Sequence, residues 1–274
     1  MRSVRVGLGL ICVLAFANFV AWKEIVQAGA FRAFVLAVGQ GDAILLRTPE
    51  GHDILVDGGP DTTVLSRLGD ILPPWDRTID LIILTHPDAD HITGLVEVLE
   101  AYRARLVLWT GVRKDTNVFL AFQEAIAKEG VSAVIANSGQ QVRWSRNSGD
   151  FLEVLYPDDS TFFKGPVNES SIILRVMRRG PRMLLTGDTT RKIERLLAES
   201  GADLKADVLK IAHHGSKTST SQEFLDEVRP DVAVISVGKE NAYGHPTKEV
   251  LERLRQYGIQ IKRTDREGTV SFAW

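Results

Sequence analysis

Residues 79–94 read IDLIILTHPDADHITG. The first seven, Ile79–Thr85, are almost continuously apolar and β-branched, as expected of a strand buried on both faces. The next six hold four potential metal ligands, His86, Asp88, Asp90 and His91. A solvated turn has no need of two imidazoles and two carboxylates. A loop held by a buried strand can turn several side chains to one point. Beyond it, apolar residues at 95, 96, 98 and 99 predict a helix over Thr93–Tyr102.

Other strand ends carry related residues. The run Arg182–Thr186 leads into Gly187-Asp188, whose carboxylate could bridge two cations or merely cap a helix over Thr189–Ser200. The run Asp207–Ala212 leads into His213-His214-Gly215-Ser216. Tyr243-Gly244-His245-Pro246 opens a helix over Thr247–Tyr257; His245 alone reads as a surface residue, as does His52 in its turn. Carboxylates and imidazoles gathered at strand ends suit a hydrolytic site that activates water on one or two metals. The single cysteine, Cys12, excludes a disulfide framework and a Cys-rich zinc site.

Around these motifs the chain alternates short strands and helices. Phe31–Val38, Ala43–Thr48 and Asp53–Asp57 read as consecutive antiparallel strands, followed by a helix over Thr62–Ile71. Leu106–Trp109, Val131–Ala136 and Phe151–Tyr156 read as strands, with a helix over Asn117–Glu129 and a turn over Arg143–Asp150. Ser171–Met177 pairs with Arg182–Thr186 through Arg179-Gly180-Pro181. A helix over Ser221–Val228, a strand over Val232–Val237 and closing strands Ile259–Arg263 and Thr269–Phe272 complete the chain. Two β-rich halves interleaved with helices predict two packed sheets with helices outside, in one domain over 32–274.

The first 22 residues stand apart. Arg2 and Arg5 precede an uncharged run, Val6–Trp22, of 17 residues, at the short limit for a spanning helix. The basic flank predicts an uncleaved anchor with residues 23–274 outside the cytoplasmic membrane. Ala15-Phe16-Ala17 offers the alternative of a cleaved signal and a secreted or periplasmic product. Beyond residue 22, 31 basic side chains face 35 acidic ones. That net charge of −4 is not the footprint of a general polyanion binder.

Six segments together resemble the metallo-β-lactamase superfamily, and more narrowly the metallo-β-lactamase domain of ComEC-type competence proteins. They are VGQGD (38–42), LVDGG (55–59), THPDADHITG (85–94), LLTGD (184–188), LKIAHHGSKTSTS (209–221) and YGHP (243–246). The multi-span channel part of that family is not among these residues, so the resemblance is to a free-standing hydrolase with its own anchor. It implies a four-layer αββα sandwich with the metal site at one sheet edge. It also implies phosphodiester hydrolysis, with DNA as substrate and a DNA-uptake channel as partner.

By position, the resemblance makes His86, Asp88, Asp90 and His91 the first ligand cluster and Asp188 the bridging carboxylate. His213 or His214 is the later ligand, with His213 favoured because it lies nearer the strand. Asp57 is a supporting partner of the ligand loop, and Gln40 and Asp42 sit in the loop beside the site. Asp90 or Asp188 would orient the attacking water, and His245 or the remaining member of the His213/His214 pair would donate a proton to the leaving oxygen. Lys210, Ser216, Lys217 and Thr218 would hold substrate phosphates, although Lys217 equally suits a solvated loop.

Two departures matter. Asp88 stands at the second His of the usual H-x-H-x-D-H, and no His occurs from 92 to 187. Asn168 stands where a replacement ligand or substrate contact is sought. The oxygen-richer set favours Mn²⁺ or Mg²⁺ beside Zn²⁺ and counts against a β-lactam substrate. The rival readings are a hydrolase of a small ester, thioester or β-lactam, and an inactive membrane-tethered DNA-binding scaffold.

Overall fold

Two seven-stranded sheets organise the described residues. The first contains β1 (Arg32–Val35), β2 (Ile44–Arg47), β3 (Asp53–Val56), β5 (Leu81–Leu84), β7 (Leu106–Trp109), β8 (Ser132–Ile135) and the closing β16 (Val270–Ala273), in the order β16-β1-β2-β3-β5-β7-β8. β4 (Thr78–Ile79) and β6 (Arg103–Ala104) form a small separate pair. The second sheet runs from β9 (Gln141–Arg143) through β10 (Phe151–Tyr156), β11 (Ile173–Met177), β12 (Met183–Leu185), β13 (Val208–Lys210) and β14 (Val232–Ile235) to β15 (Gln260–Arg263). This computed structural model describes residues 29–145, 149–158 and 165–274. The apolar run Val6–Trp22 lies outside them; among the described residues no helix is long and apolar enough to cross a membrane.

Alternation along each strand creates the layers. Leu46, Val56 and Ile83 from the first sheet share one buried cluster with Leu174, Leu185 and Val234 from the second. Their neighbours Leu45, Leu55 and Ile82 point the other way, onto Val64 of α1 (Thr63–Ile71), Leu95 of α2 (Ala89–Ala101) and Phe122 of α3 (Asn117–Glu129). On the far side, Leu184, Leu209 and Ala233 meet Leu197 of α4 (Arg191–Glu199), Phe224 of α5 (Gln222–Val228) and Leu254 of α6 (Lys248–Gln256). The result is helix, sheet, sheet, helix, as the resemblance implies.

The run read as one strand over Ile79–Thr85 divides between β4 and β5, β6 was not read, and three further elements differ from the sequence reading. Helix α2 begins at Ala89 rather than Thr93, so Asp90 and His91 ride on its first turn rather than in a loop. Apolar periodicity starts only at Ile92 and hid that turn. What holds it is backbone: the Asp42, Gly58 and Gly94 amides donate to the carbonyls of Asp90, His91 and Gly59. A Cβ on Gly94 would sit 1.9 Å from the Gly58 carbonyl oxygen, so glycine permits this approach. The predicted turn at 143–150 is preceded by β9, whose Arg143 pairs with Phe151. A short helix, α7 (Thr264–Glu267), joins the closing strands.

Candidate metal centre

β5, β12 and β13 end at one edge of the sandwich, and each is followed at once by a site residue. His86 follows β5 and is fully buried. Asp188 follows the Thr186-Gly187 turn after β12 and is 2% exposed. After β13, the turn Ala212–Gly215 carries His213 and His214 at φ 50° and 53°. This left-handed pair swings His214 into the sandwich and leaves His213 at its mouth.

That turn corrects the preference for His213. Single ligand atoms of Asp90, His91, Asp188 and His214 all lie within 4.8 Å of one another. His214 Nε2 is 3.3 Å from Asp90 Oδ2 and 3.6 Å from Asp188 Oδ2. His91 Nε2 is 3.3 Å from Asp188 Oδ1. His213 Nε2 is 3.8 Å from Asp188 Oδ2, but 28% of its side chain is exposed against 2% for His214. The left-handed turn brings His214, the residue farther from the strand in sequence, deeper into the site than His213.

The imidazoles are aimed by their other nitrogens. His91 Nδ1 donates to Asp57 Oδ2 at 2.8 Å. His214 Nδ1 donates to the Ser236 carbonyl at 2.9 Å. Thr85 Oγ1 donates to Asp57 Oδ2 at 2.7 Å, so His86 Nδ1 is assigned as donor to Thr85 Oγ1 at 3.0 Å. All three rings therefore turn Nε2 toward the centre, as outer partners do for metal-binding histidines. The Nε2 atoms of His86 and His91 and the Oδ1 of Asp188 are buried with no hydrogen-bond partner. Buried polar atoms left orphaned at one point are what a cation's ligands look like before the cation is counted. These residues fit a divalent cation.

Charge leads to the same place. Burial opposes ionisation of Asp188, yet the His214 and His91 rings hold its carboxyl well below the usual range. Burial alone would lower the His214 pKa, but Asp188 and Asp42 raise it to about 9. His91 is raised likewise against its burial, by Asp188 and Asp57. The pocket asks for positive charge, which protons supply when no metal is bound.

His86 and Asp88 form the second side. Their rings and carboxylate lie close, with His86 Nε2 3.6 Å from Asp88 Oδ2 and the His86 and His91 rings 4.2 Å apart. The other Asp88 oxygen is taken by the Lys114 ammonium at 2.5 Å. Asp42, Asp57 and His91 also lie within 4.8 Å. That group is no second metal site, because Lys210 takes Asp42 and Thr85 takes Asp57.

Lys210 is a correction. It is fully buried, ion-paired to Asp42, and donates to the Gly187 carbonyl at 3.3 Å. It ties two site loops together beneath the ligands and cannot reach a substrate phosphate. Ser216 is also buried, its hydroxyl 3.0 Å from that of Thr218. Lys217 and Thr218 are exposed, and Thr218 Oγ1 lies 3.4 Å from His213 Nδ1. Gln40 accepts from the Gly238 amide at 3.2 Å, which shapes the neighbouring loop. His245 is half-buried at the mouth, its ring 5.6 Å from that of His213. Asn168 lies half-buried in the turn Val167–Ser170.

Thr85, Ser171, Ser236 and Lys114 were missed in the sequence. Ser171 accepts from the Asp188 amide at 3.1 Å and so fixes the Asp188 turn. Thr85, beside His86, and Ser171, beside Asn168, were legible as neighbours of named motifs. Lys114 and Ser236 carry no local signal.

The family model described as the metallo-beta-lactamase superfamily matches residues 36–239. Over its full length the chain is 31% identical to ComE operon protein 3 of Bacillus subtilis, covering 36% of that protein. It is 35% identical to competence protein ComA of Neisseria gonorrhoeae, with 97% of the chain and 36% of that protein covered. The chain thus spans about a third of the length of these curated relatives. Among solved structures, the metallo-beta-lactamase fold protein YhfI of Bacillus subtilis superposes with a TM-score of 0.61 at 14% identity, covering 89% of this chain and all of that one. Zn(2+)-bound PqqB of Methylobacterium extorquens gives a TM-score of 0.56 at 12% identity over 88% of this chain and 99% of that one. At such identities these two likenesses concern the fold alone.

Proposed function

The chain belongs to the metallo-β-lactamase superfamily, and from that premise we propose that it is a metal-dependent phosphodiesterase acting on DNA outside the cytoplasmic membrane. The observation that carries the reading is the convergence of unpartnered His86 Nε2, His91 Nε2 and Asp188 Oδ1 beside Asp90 and His214. An inactive scaffold has no use for that convergence. The choice of DNA draws on the likeness to competence proteins. A DNA-uptake channel is the corresponding partner.

A bound divalent cation supplies an acidified water and offsets charge on the phosphate oxygens. The chain's own residues do the rest. Asp90, on the first turn of α2 and partly exposed, orients the attacking water and accepts its proton. Burial holds the pKa values of His213 and His245 below the ordinary histidine value, so both are mostly neutral near pH 7. Standing at the mouth, either neutral ring takes a proton from solvent on one nitrogen and releases the N–H proton of the other to the leaving oxygen, and Thr218 steadies the His213 ring. Exposed Lys217 and Thr218 flank the mouth and meet phosphates beyond the cleaved bond. Val6–Trp22 seats the domain on the membrane.

A panel of single- and double-stranded DNA, RNA and cyclic dinucleotides, each with Mg²⁺, Mn²⁺ and Zn²⁺, tests the reading. Cleavage of a nucleic-acid phosphodiester is expected. Turnover of a thioester or β-lactam with no phosphodiester cleaved would replace it with the small-substrate alternative. Protease added to intact spheroplasts should digest residues 23–274; a mature N-terminus near Asn18 would instead show a cleaved signal.

A further inference from the structure

The end of the sandwich opposite the metal centre has its own chemistry. β1 enters there at Arg32, level with Ala273 and Arg47, and runs toward the Asp42 loop. β12 starts there at Met183 and runs toward Asp188. Four residues of β1 and three of β12 separate the two ends, about 10–13 Å at the usual rise.

At this far end Phe31 lies 5.8 Å from Trp144 and 6.1 Å from Trp274. The Arg178 guanidinium stands over Phe31 at 5.4 Å and over Trp274 at 5.5 Å. Its Nη2 donates to the Trp274 carbonyl at 3.3 Å. Its Nε and Nη1, and the Trp144 Nε1, are buried donors with no acceptor. Arg143 stacks on Phe151 at 4.5 Å and is exposed, as is Arg179. Neither guanidinium forms an ion pair among the described residues, while the Arg179 amide donates to Asp150 Oδ1 at 3.2 Å. The exposed Arg143 and Arg179 guanidiniums beside this aromatic cluster suit an anion with several oxygens. Tryptophan and arginine over an aromatic floor suit the depth where headgroup phosphates meet acyl chains.

The position of the preceding sequence selects the source of that anion. Six residues, 23–28, separate Trp22 from Gly29. Fully extended they reach at most about 22 Å. An apolar run seated in a bilayer therefore brings the end at which β1 enters to the membrane surface first.

We propose that the surface formed by Arg143, Trp144, Arg178, Arg179 and Trp274 docks on anionic phospholipid headgroups and turns the metal centre away from the bilayer. The inference rests on reading Val6–Trp22 as a membrane segment, and the test separates the two. Full-length protein is reconstituted with vesicles of phosphatidylcholine alone or mixed with phosphatidylglycerol. Flotation with both kinds of vesicle reports the apolar run. Amide hydrogen exchange in 141–145 and 178–182 reports the surface. Exchange there should slow on the order of fivefold in the mixed vesicles relative to the neutral ones, while 243–247 at the metal mouth stays unchanged. Arg143→Ser with Arg179→Ser, both at exposed positions, should abolish the difference without loss of flotation.

Flotation with equal exchange in both vesicles overturns the surface and spares the anchor. No flotation overturns both. Slowing at 243–247 instead reverses the orientation. The same slowing produced by duplex DNA without vesicles would make the surface a nucleic-acid contact and overturn the lipid assignment.

Discussion

Asp90, His91 and His214 meet Asp188 with their other atoms anchored. Asp57 holds His91, the Ser236 carbonyl holds His214, and the Asp42 amide clips the Asp90 carbonyl. The His86–Asp88 side is held by looser means. His86 is aimed through Thr85, but one oxygen of Asp88 is engaged by Lys114, whose side chain is 37% exposed. The first side is oriented by the fold itself, whereas on the second Asp88 offers Oδ2 while Lys114 holds Oδ1 and keeps a positive charge beside it. One tightly held cation and one exchangeable cation are the expected consequence, and we propose Asp188 as the ligand common to both.

Breaking the shared element has the largest expected effect. Asp188→Asn keeps shape but removes the charge that joins the two sides, and should cost on the order of a thousandfold in hydrolysis. Circular dichroism should be unchanged. Retention of more than about a tenth of the activity, a loss of under roughly 1.4 kcal/mol, would show that Asp188 is not the bridge. Asp57→Asn strikes both sides one step out, through His91 and through Thr85. Asparagine tolerates the left-handed φ of 59° at this position. Metal affinity measured by titration calorimetry should fall about 10- to 100-fold. Unchanged affinity would make the Asp57 contacts structural only.

These contrasts also show what was legible in the sequence. The layers could be read because the central strands are dense apolar runs and the longer helices have clear stops. His86, Asp90, His91 and Asp188 could be read because they crowd strand ends. The choice between His213 and His214 could not, because it depends on two left-handed residues that no apolar pattern announces. Lys210 looked like a phosphate contact because a lysine beside a motif usually faces solvent. Its partner Asp42 lies 168 residues away, and only the fold brings them together. Lys114 was invisible for the same reason, 26 residues from Asp88 in a loop without a motif.

Lys114 offers the sharpest way to alter one side alone. Lys114→Met frees Asp88 without touching Asp90, His91 or His214. With that positive charge removed from beside the site, the weaker metal should bind on the order of tenfold more tightly, read as a second equivalent in a stoichiometric titration, while the first is unchanged. Equal effects on both would mean that the two sides are not separate. The oxygen-richer side, with His86, Asp88 and Asp188, suits Mn²⁺, and the imidazole-richer side accepts Zn²⁺. Mn²⁺ should therefore raise the rate of protein already loaded with one Zn²⁺. Full activity with Zn²⁺ alone and no gain from Mn²⁺ would remove that distinction.

The smallest effect concerns the metal-free protein, where protons stand in for the cation on the anchored side. His214 titrates at about 9 in the fold against 6.5 for a free histidine, and His91 is shifted in the same direction. A raised pKa means that the folded chain binds the proton more tightly than the unfolded chain does. The stabilisation is complete below about pH 6.5 and disappears as pH rises through about 9. Asp188 is shifted the opposite way, so its contribution is present above the ordinary carboxylate range and lost in acid. Urea midpoints of chelator-treated protein should fall between pH 6.5 and 9.5. Metal-loaded protein should fall less, since the cation replaces the proton at the same nitrogens. The His91 and His214 shifts concern the anchored side alone, so Lys114→Met should leave both profiles unmoved. A changed profile in that variant would show that the two sides titrate as one.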